Sequence, residues 1–413
     1  MSGTSEANSQ PKALAGIKVV DFTQFESGTS CTESLAWMGA DVVKIEEPRR
    51  GESGRYASTD RQGVDSYFFI LMNANKRSLG CDVKSEAGKR IVRELIAKAD
   101  VFIENMSPGA IERLGFGYEE VRKINPRIVY AQIKGFAPDS PYANYLSFDY
   151  IAQSVGVSVS LTGQLNGPPL KPGPNVGDTG AGLHCTIGIL AALLQRAVTG
   201  VGQRIEVSMQ EAVINFNRIN FAAQLMYGKP PERKGNQGVL GTSAPCELYR
   251  CSPGGPNDYV YVYTSRSGNK QWEALLRVIG REDLLQDPRF SSPEARVAHL
   301  KDVDELLAAW CLQHTKIEAM DTLQQGGVPA GAVLSTEELM ADPHLRRNGA
   351  FVAVQHPARG EVVMPGWPVK MTGSKVEVTP APLLGAHTAE VLGEWLGWSA
   401  GQIAEVAPTM PRA

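Results

Sequence analysis

The sequence predicts an α/β protein, in which a parallel sheet covered by helices on both faces is followed by a smaller α+β domain. Two observations carry this. Short β-branched apolar runs alternate with amphipathic stretches of helical spacing through the first 136 residues, the rhythm of parallel strands joined by crossover helices. Around MYGKPPERKGNQG, from Met226, the composition shifts to Pro, Gly and charge, and strand and helix patterns then resume in a different order.

The first twelve residues read as a loose tail. From Leu14, LAGIKVVDF suits a buried strand, SCTESLAWMG a helix and ADVVKIEE a second strand, which together make a βαβ unit. KSEAGKRIVRELIAKAD is amphipathic, VFIENM is a strand, YEEVRKINP is a helix closed by Asn125-Pro126, and RIVYAQIKGF is another strand. A Pro- and Tyr-bearing loop leads to the helical FDYIAQSVG and then to the Gly/Pro-rich GQLNGPPLKPGPNVGD. A long apolar helix, Thr179 to Val198, stops at Thr199-Gly200-Val201-Gly202, and RIEVSMQEAVINF reads as strand then helix. In the second domain CELYRC and DYVYVYT read as strands, and NKQWEALLRVIG and DVDELLAAWCLQ as helices. The FVAVQHPARGEVVMPG hairpin and a final helix, TAEVLGEWLGW, complete the chain.

Composition narrows the function. With 43% hydrophobic and 21% charged residues among 413, the chain is neither disordered nor fibrous. The 41 Lys+Arg against 44 Asp+Glu give a net charge of −3, which argues against a nucleic-acid partner. The purest apolar run, Ile187 to Leu194, falls far short of the roughly 20 residues of a membrane span, so no membrane partner is expected. Six Cys are too sparse for a disulfide scaffold, and the polar start MSGTSEANSQPK has no apolar signal segment; a cytoplasmic protein is expected. Cys246 and Cys251 lack a second pair and a His cluster, so no metal is expected.

The first βα turn, DFTQFESGTSCTE, has one glycine, Gly28, where a dinucleotide fingerprint needs three, so no redox cofactor is expected. Its amides at a helix N-terminus can still meet a phosphate or a developing anion, and the equally good alternative is a plain helix capped by Ser27, Thr29 or Ser30. Arg49, Arg50 and Arg55 after the second strand, and Lys76-Arg77 after MNAN, fall at the C-terminal edge of the sheet, where open α/β folds bind ligands. They are either a rim for a phosphorylated ligand or solvated charge. Asp178 opens the long apolar helix within Gly177-Asp178-Thr179-Gly180-Ala181-Gly182. It reads first as an N-cap, but the glycines leave backbone bare for close approach of a ligand. His184 is expected to pack in the helix layer rather than act as a base.

LAGIKVVDFTQFESG, WMGADVVKIEEP, MNANKRSLGCDVKS, ENMSPGAIERLGFGYEEVRKINPRIVYAQIKGF, GDTGAG, TGVGQRIEVSMQEAV and PLLGAHTAEVL resemble, in this order, the class III (CaiB/BaiF-type) CoA-transferases. SYFFILMNANKRS and SMQEAVINFNRI are most similar to the formyl-CoA transferase branch. The resemblance implies a large Rossmann-like domain with its parallel sheet formed from both chain ends, a small domain, and two chains threaded into an interlocked homodimer. It divides the chain into a tail (1–13), a large-domain part (14–200), a linker (201–225), the small domain (226–325), a second linker (326–349) and the returning large-domain part (350–413). It also implies that coenzyme A, as acyl-CoA, and a carboxylic acid are the substrates, with Asp178 as nucleophile. Phe25, Glu26, Ser27 and Phe148 would surround the reacting thioester under a loop of Gly238, Val239, Leu240 and Gly241. Arg49, Arg50, Asn75, Lys76, Asn105 and Arg113 would line the CoA path. Formyl-CoA transferases resemble this chain less at three of these places, with glutamine at Glu26, an aromatic hydroxyl at Phe148 and four glycines in the loop, which puts oxalate as acceptor in doubt. Racemase relatives use a His-Asp pair, with the histidine just before the aspartate that corresponds to Asp149; this chain has Phe148 there, so proton transfer lacks one of its two bases. A racemase and a non-catalytic acyl-CoA-binding protein remain the alternatives.

Overall fold

A computed structural model of the chain describes residues 12–238 and 240–406. Its described residues divide into two compact units, one of residues 12–157, 173–216 and 344–406, the other within 158–172 and 217–343.

The main sheet of the large unit has six strands: β1 Lys18–Phe22, β2 Asp41–Glu46, β3 Arg77–Gly80, β4 Val101–Glu104, β5 Val129–Lys134 and β6 Arg204–Ser208. They pair in the order β3-β2-β1-β4-β5-β6, every neighbour parallel. The strands are apolar on both sides because both faces are covered. Val20, Phe22, Val43, Ile45 and Phe102 pack with the Glu86–Lys98 and Thr388–Leu396 helices, while Val19, Val42, Val101 and Ile103 pack with Ser27–Trp37 and Asp178–Thr199. Strand order reverses between β1 and β4, which opens a crevice at their C-terminal ends.

Several expectations need correction. All six strands lie between residues 18 and 208, so the sheet is not formed from both chain ends. The C-terminal segment instead supplies a helix, with Val391, Leu392 and Trp395 in the core, and a separate hairpin of β10 Phe351–His356 and β11 Gly360–Pro365 against Phe69 and Ile70. Residues 201–225, expected as a linker, carry β6 on the sheet edge, because RIEVS continues the ladder from Tyr130 to Lys134. The tail lies outside the described residues up to 11. A further helix, Ala400–Val406, follows the one expected to be last.

In the other unit β7 Cys246–Arg250, β8 Tyr259–Tyr263 and β9 Ala330–Ala332 form an antiparallel sheet over Trp272, Leu275, Leu276, Val303 and Leu307. β9 falls in the second expected linker, so the sheet reaches further along the chain than composition indicated.

The Asp178–Thr199 helix is long and apolar enough to cross a membrane by length and composition, which the shorter pure run concealed. It packs here on the sheet through Ala181, Cys185 and Ile189, and Arg196 near its end pairs with Asp100 at 2.7 Å. A Cβ on Gly182 would lie 2.1 Å from Ser30 Oγ and 2.6 Å from the Ser27 carbonyl, so this glycine lets the first helix touch the Asp178 helix.

Candidate active site

Side chains hold nearly every polar group of the backbone in the first βα turn, Thr23 to Phe25. The Thr23 amide donates to Asp21 Oδ1 at 2.7 Å, and the Thr23 carbonyl accepts from Lys44 Nζ at 2.7 Å. Asn105, just past β4, takes both sides of Gln24, its Oδ1 accepting the amide and its Nδ2 donating to the carbonyl, each at 2.8 Å; Nδ2 also reaches Ser27 Oγ at 2.9 Å. The Phe25 amide donates to Glu52 Oε2 at 2.9 Å. Phe25 sits at φ 57°, a left-handed conformation rare for an aromatic residue, which these surrounding bonds hold in place. Its ring meets Phe148 edge to face at 6.1 Å.

Beneath the turn lies buried charge. Lys44, fully buried, is 3.3 Å from Glu52 Oε1, and Lys76 Nζ is 3.5 Å from Asp21 and donates to the Thr29 carbonyl at 3.1 Å. Burial opposes ionisation of Asp21, yet Lys44 and Lys76 hold it below the ordinary carboxylate range; burial brings Lys76 down to about 8. Lys76, expected on the CoA path, is therefore an internal support under the first helix. Arg55 is likewise withdrawn from the basic rim. It is 1% exposed, bonds both oxygens of Glu46 at 2.7 Å, pairs with Asp65 at 2.8 Å and lies over the Phe69 ring. Asn75 is occupied with the backbone of Glu377 and Thr379. None of Ser27, Thr29 or Ser30 caps the first helix: Glu26 occupies the cap position without a side-chain bond to the helix amides, and the Thr29 and Ser30 hydroxyls turn back to the Phe25, Glu26 and Ser27 carbonyls.

Asp178 lies half-buried at the start of its helix and lines a pocket of about 300 Å³ together with Phe25, Ser27, Asn105, Phe148 and Met209. Glu26 stands behind this pocket rather than in it, buried, accepting from Thr179 Oγ1 and Asn175 Nδ2, each at 2.8 Å. Asp149, also buried, accepts from the Gly177 amide at 2.9 Å and the Asp178 amide at 3.3 Å through Oδ1, and from Gln153 at 2.6 Å through Oδ2. Burial, then Glu26, then Asp149 push the Asp178 carboxyl up to about 7. The neighbouring glycines face protein and do not open backbone to a ligand: a Cβ on Gly177 would lie 3.0 Å from Asp149, and one on Gly180 2.4 Å from the Phe216 ring. His184 bonds the Gly180 carbonyl and Asn215, as a packed helix residue does.

A groove of about 1070 Å³ adjoins the pocket along the C-terminal ends of the strands, the two sharing Gln24 and Met106. Exposed Arg49, Arg113 and Lys84 line it; Arg50 is exposed close by. Glu46, Glu47, Glu52 and Asp82 line it as well, Glu46 and Glu52 already paired with Arg55 and Lys44; an elongated ligand with an anionic end can meet Arg49, Arg113 and Lys84 while another part enters the pocket that Asp178 lines.

Sequence reasoning met Asp149 only as the position after the racemase relatives' histidine, not as a support for Asp178, and it missed Glu52, Lys44 and Lys84. A lone Asp at a helix start, as in Phe148-Asp149-Tyr150, reads as that helix's own cap, and nothing in one dimension shows it bonding a segment 28 residues on. Gly238, Leu240 and Gly241 form a turn in the other unit, the Gly241 amide donating to the Gly238 carbonyl at 2.8 Å; Val239 lies outside the described residues. Among the described residues no group of three or more His, Cys, Asp or Glu is placed to hold a metal ion.

The sequence of residues 14–388 matches the pattern of CoA-transferase family III. A formyl-CoA:oxalate CoA-transferase of Streptomyces avermitilis is 44% identical over 399 residues, covering 94% of this chain and 96% of that protein. One from Rhodopseudomonas palustris is 39% identical over 414 residues and 96% of each chain. A CAIB/BAIF family protein of Brucella suis shares the fold, with a TM-score of 0.82 and 30% identity over 94% of this chain and all of that one. The crevice at the strand-order reversal and the two proteins of matching length thus lead to one conclusion: the chain belongs to CoA-transferase family III and is a CoA-transferase.

Proposed function

We propose that the enzyme moves CoA from an acyl-CoA to a free carboxylic acid through covalent intermediates on Asp178. The observation that carries this reading is a carboxylate lining a pocket that adjoins, at Gln24 and Met106, a groove whose lining includes Arg49, Arg113 and Lys84. In the first step an Asp178 oxygen attacks the thioester carbonyl and the CoA thiolate leaves, giving an aspartyl mixed anhydride. The thiolate then attacks the Asp178 carbonyl carbon, the first acid departs as its carboxylate, and an aspartyl-CoA thioester remains. The incoming carboxylate displaces the thiolate to form a new anhydride, and attack of the thiolate on its acyl carbon releases the new acyl-CoA and free Asp178. With a thiol pKa near that of cysteine, holding the thiolate at pH 7 takes about 2 kcal/mol from nearby donors. The N-terminal turn of the first helix, where Ser27 lines the pocket, supports this through its orphan amides and dipole. Arg49 and Arg113 are assigned to the CoA phosphates, and Asn105 to holding the turn over the thioester.

The pocket beside Asp178 is walled by Phe25, Ile133, Phe148 and Met209, and Lys134, its cation, is held by Glu104 at 2.8 Å. Such a wall favours an acid with some hydrocarbon over a small dianion such as oxalate. Mixing the protein with formyl-, acetyl- and succinyl-CoA and a panel of free acids including oxalate, and reading CoA exchange by mass, is expected to show exchange with longer acids ahead of oxalate. Exchange with oxalate ranked first would end the acid preference; no exchange with any pair would end the transferase mechanism.

We also assign the enzyme as a cytoplasmic homodimer. All six cysteines are buried free thiols, and the outer face of the Asp178 helix exposes Ile187, Leu194 and Val198, an apolar stripe suited to a second copy. Sedimentation at micromolar protein is expected to show a dimer that dilution does not dissociate. A monomer would contradict it.

A further inference from the structure

We infer that Asp149 is a positioning residue for the reaction: it seats the start of the Asp178 helix by bonding the Gly177 and Asp178 amides, and its buried charge opposes the Asp178 anion so that neutral covalent forms of Asp178 are favoured. The inference rests on the nucleophilic reading of Asp178.

The geometry comes first. Asp149 Oδ1 takes two consecutive amides at the entry to the Asp178 helix, at 2.9 and 3.3 Å. Its other oxygen is fixed by Gln153 at 2.6 Å, and Gln153 in turn donates to the Pro174 carbonyl at 3.0 Å, so one short helix grips the approach to Asp178 at three points. Asp149 is 3% exposed and does not line the pocket, so it acts through Asp178 and not on a ligand.

The second part is electrostatic. A carboxylate normally gains at a helix N-terminus, but the groups around Asp178 reverse that. From the first βα turn it faces Glu26, and from the Asp149–Val155 helix it faces Asp149. On β5, Lys134 is committed to Glu104 and the Met106 carbonyl. On the adjoining Met209–Phe216 helix, Glu211 is exposed. The first turn of its own helix carries no other charge, and His184 is bonded to Gly180 and Asn215. Glu26 and Asp149, the two charged groups that act on the Asp178 carboxyl, are both acidic and both raise it, after burial. Turning the anion into an anhydride or thioester removes the charge those groups oppose, so the same repulsion that hinders ionisation pulls the covalent equilibrium toward product.

Asp149→Asn keeps an acceptor for both amides and removes the charge, whereas Asp149→Ala removes both. In wild type, kcat/KM should rise with pH and level off near 7, because the protonated carboxyl cannot attack. In Asp149→Asn this limb should move down by about one pH unit, and the share of protein carrying an acyl or CoA adduct after acid quench, read by intact mass with succinyl-CoA, should fall several-fold. Asp149→Ala should in addition lose about 30-fold or more in kcat with unchanged CoA affinity. A merely structural role would lower melting temperature and active fraction but leave the limb in place. A thermal cycle needs no substrate: at pH 8 Asp178→Asn should raise the melting temperature more in the wild-type background than in the Asp149→Asn background, and at pH 5 equally in both. An unmoved limb together with additive melting temperatures at pH 8 overturns the inference. Transfer surviving in Asp178→Asn would instead overturn the nucleophilic reading, and the thermal cycle would still judge the charge coupling.

Discussion

Asp178→Asn and Asp178→Ala are expected to leave less than about one part in a thousand of wild-type transfer, since no step of the proposed sequence proceeds without a carboxylate to acylate. CoA affinity should persist, because Arg49, Arg113 and Lys84 line the groove and not the Asp178 pocket. Stability should not fall in the asparagine variant. The folded protein holds a proton on Asp178 up to about pH 7, far above the 3.8 of the free side chain, so raising the pH between these values costs wild type stability. The neutral amide has no such loss, and its melting temperature should match wild type at pH 4 and equal or exceed it at pH 8. Transfer assays, CoA titration calorimetry and melts at both pH values check all three expectations, and unimpaired transfer would sink the mechanism.

The largest effect on stability is expected at Arg55. Arg55→Ala leaves the fully buried Glu46 without its bidentate partner, and uncovered charge of this kind costs about 3–5 kcal/mol. Arg55→Lys should recover only a fraction, since an ammonium cannot span both oxygens of Glu46, reach Asp65 and the Pro382 carbonyl, and lie flat on Phe69. Arg113→Ala, on an exposed groove wall, should change stability by less than about 0.5 kcal/mol while weakening CoA binding. Urea melts paired with CoA calorimetry separate these outcomes. Weak CoA binding with full stability in Arg55→Ala would restore Arg55 to the phosphate rim.

The contrast between these arginines shows what a sequence can reveal here. Val19-Val20 and Val42-Val43 read as buried strands because consecutive β-branched residues fit only a sheet covered on both faces, and the structure places each pair with one residue on either side. GDTGAG at the head of a long apolar helix marked Asp178 first as an N-cap, and only the resemblance singled it out as a nucleophile; the structure places it in the lining of a pocket. Arg55, Lys76 and Arg113 look alike in one dimension, yet two are internal and one is exposed; the difference lies in acidic partners contributed by other strands and loops, Glu46 and Asp21, which no local pattern encodes. Gly177, Gly180 and Gly182 were read as bare backbone, but the space each leaves is filled by Asp149, Phe216 and Ser30 from distant segments. RIEVS was legible as a strand, but not as the edge of the main sheet, because the pairing of Arg204–Ser208 with Tyr130–Lys134 joins segments some 74 residues apart.

The Thr388–Leu396 helix also bears on how the protein is made. Trp395 bonds Asp41 at 2.7 Å, Thr388 Oγ1 accepts from the Gly80 amide at 3.1 Å, and Val391 and Leu392 fill the face of a sheet whose strands end by residue 208. About 300 residues separate β3 from this cover, so at 5–20 residues per second the nascent sheet waits roughly 15–60 s on the ribosome with Val43, Ile45 and Leu79 short of their packing partners. Packing of this face is thus expected to wait until residues 388–396 have been made. A chain arrested anywhere between residues 210 and 380 should engage chaperones rather than fold, and a premature stop that removes only the Thr388–Leu396 helix should be as damaging as a lesion in the central strands.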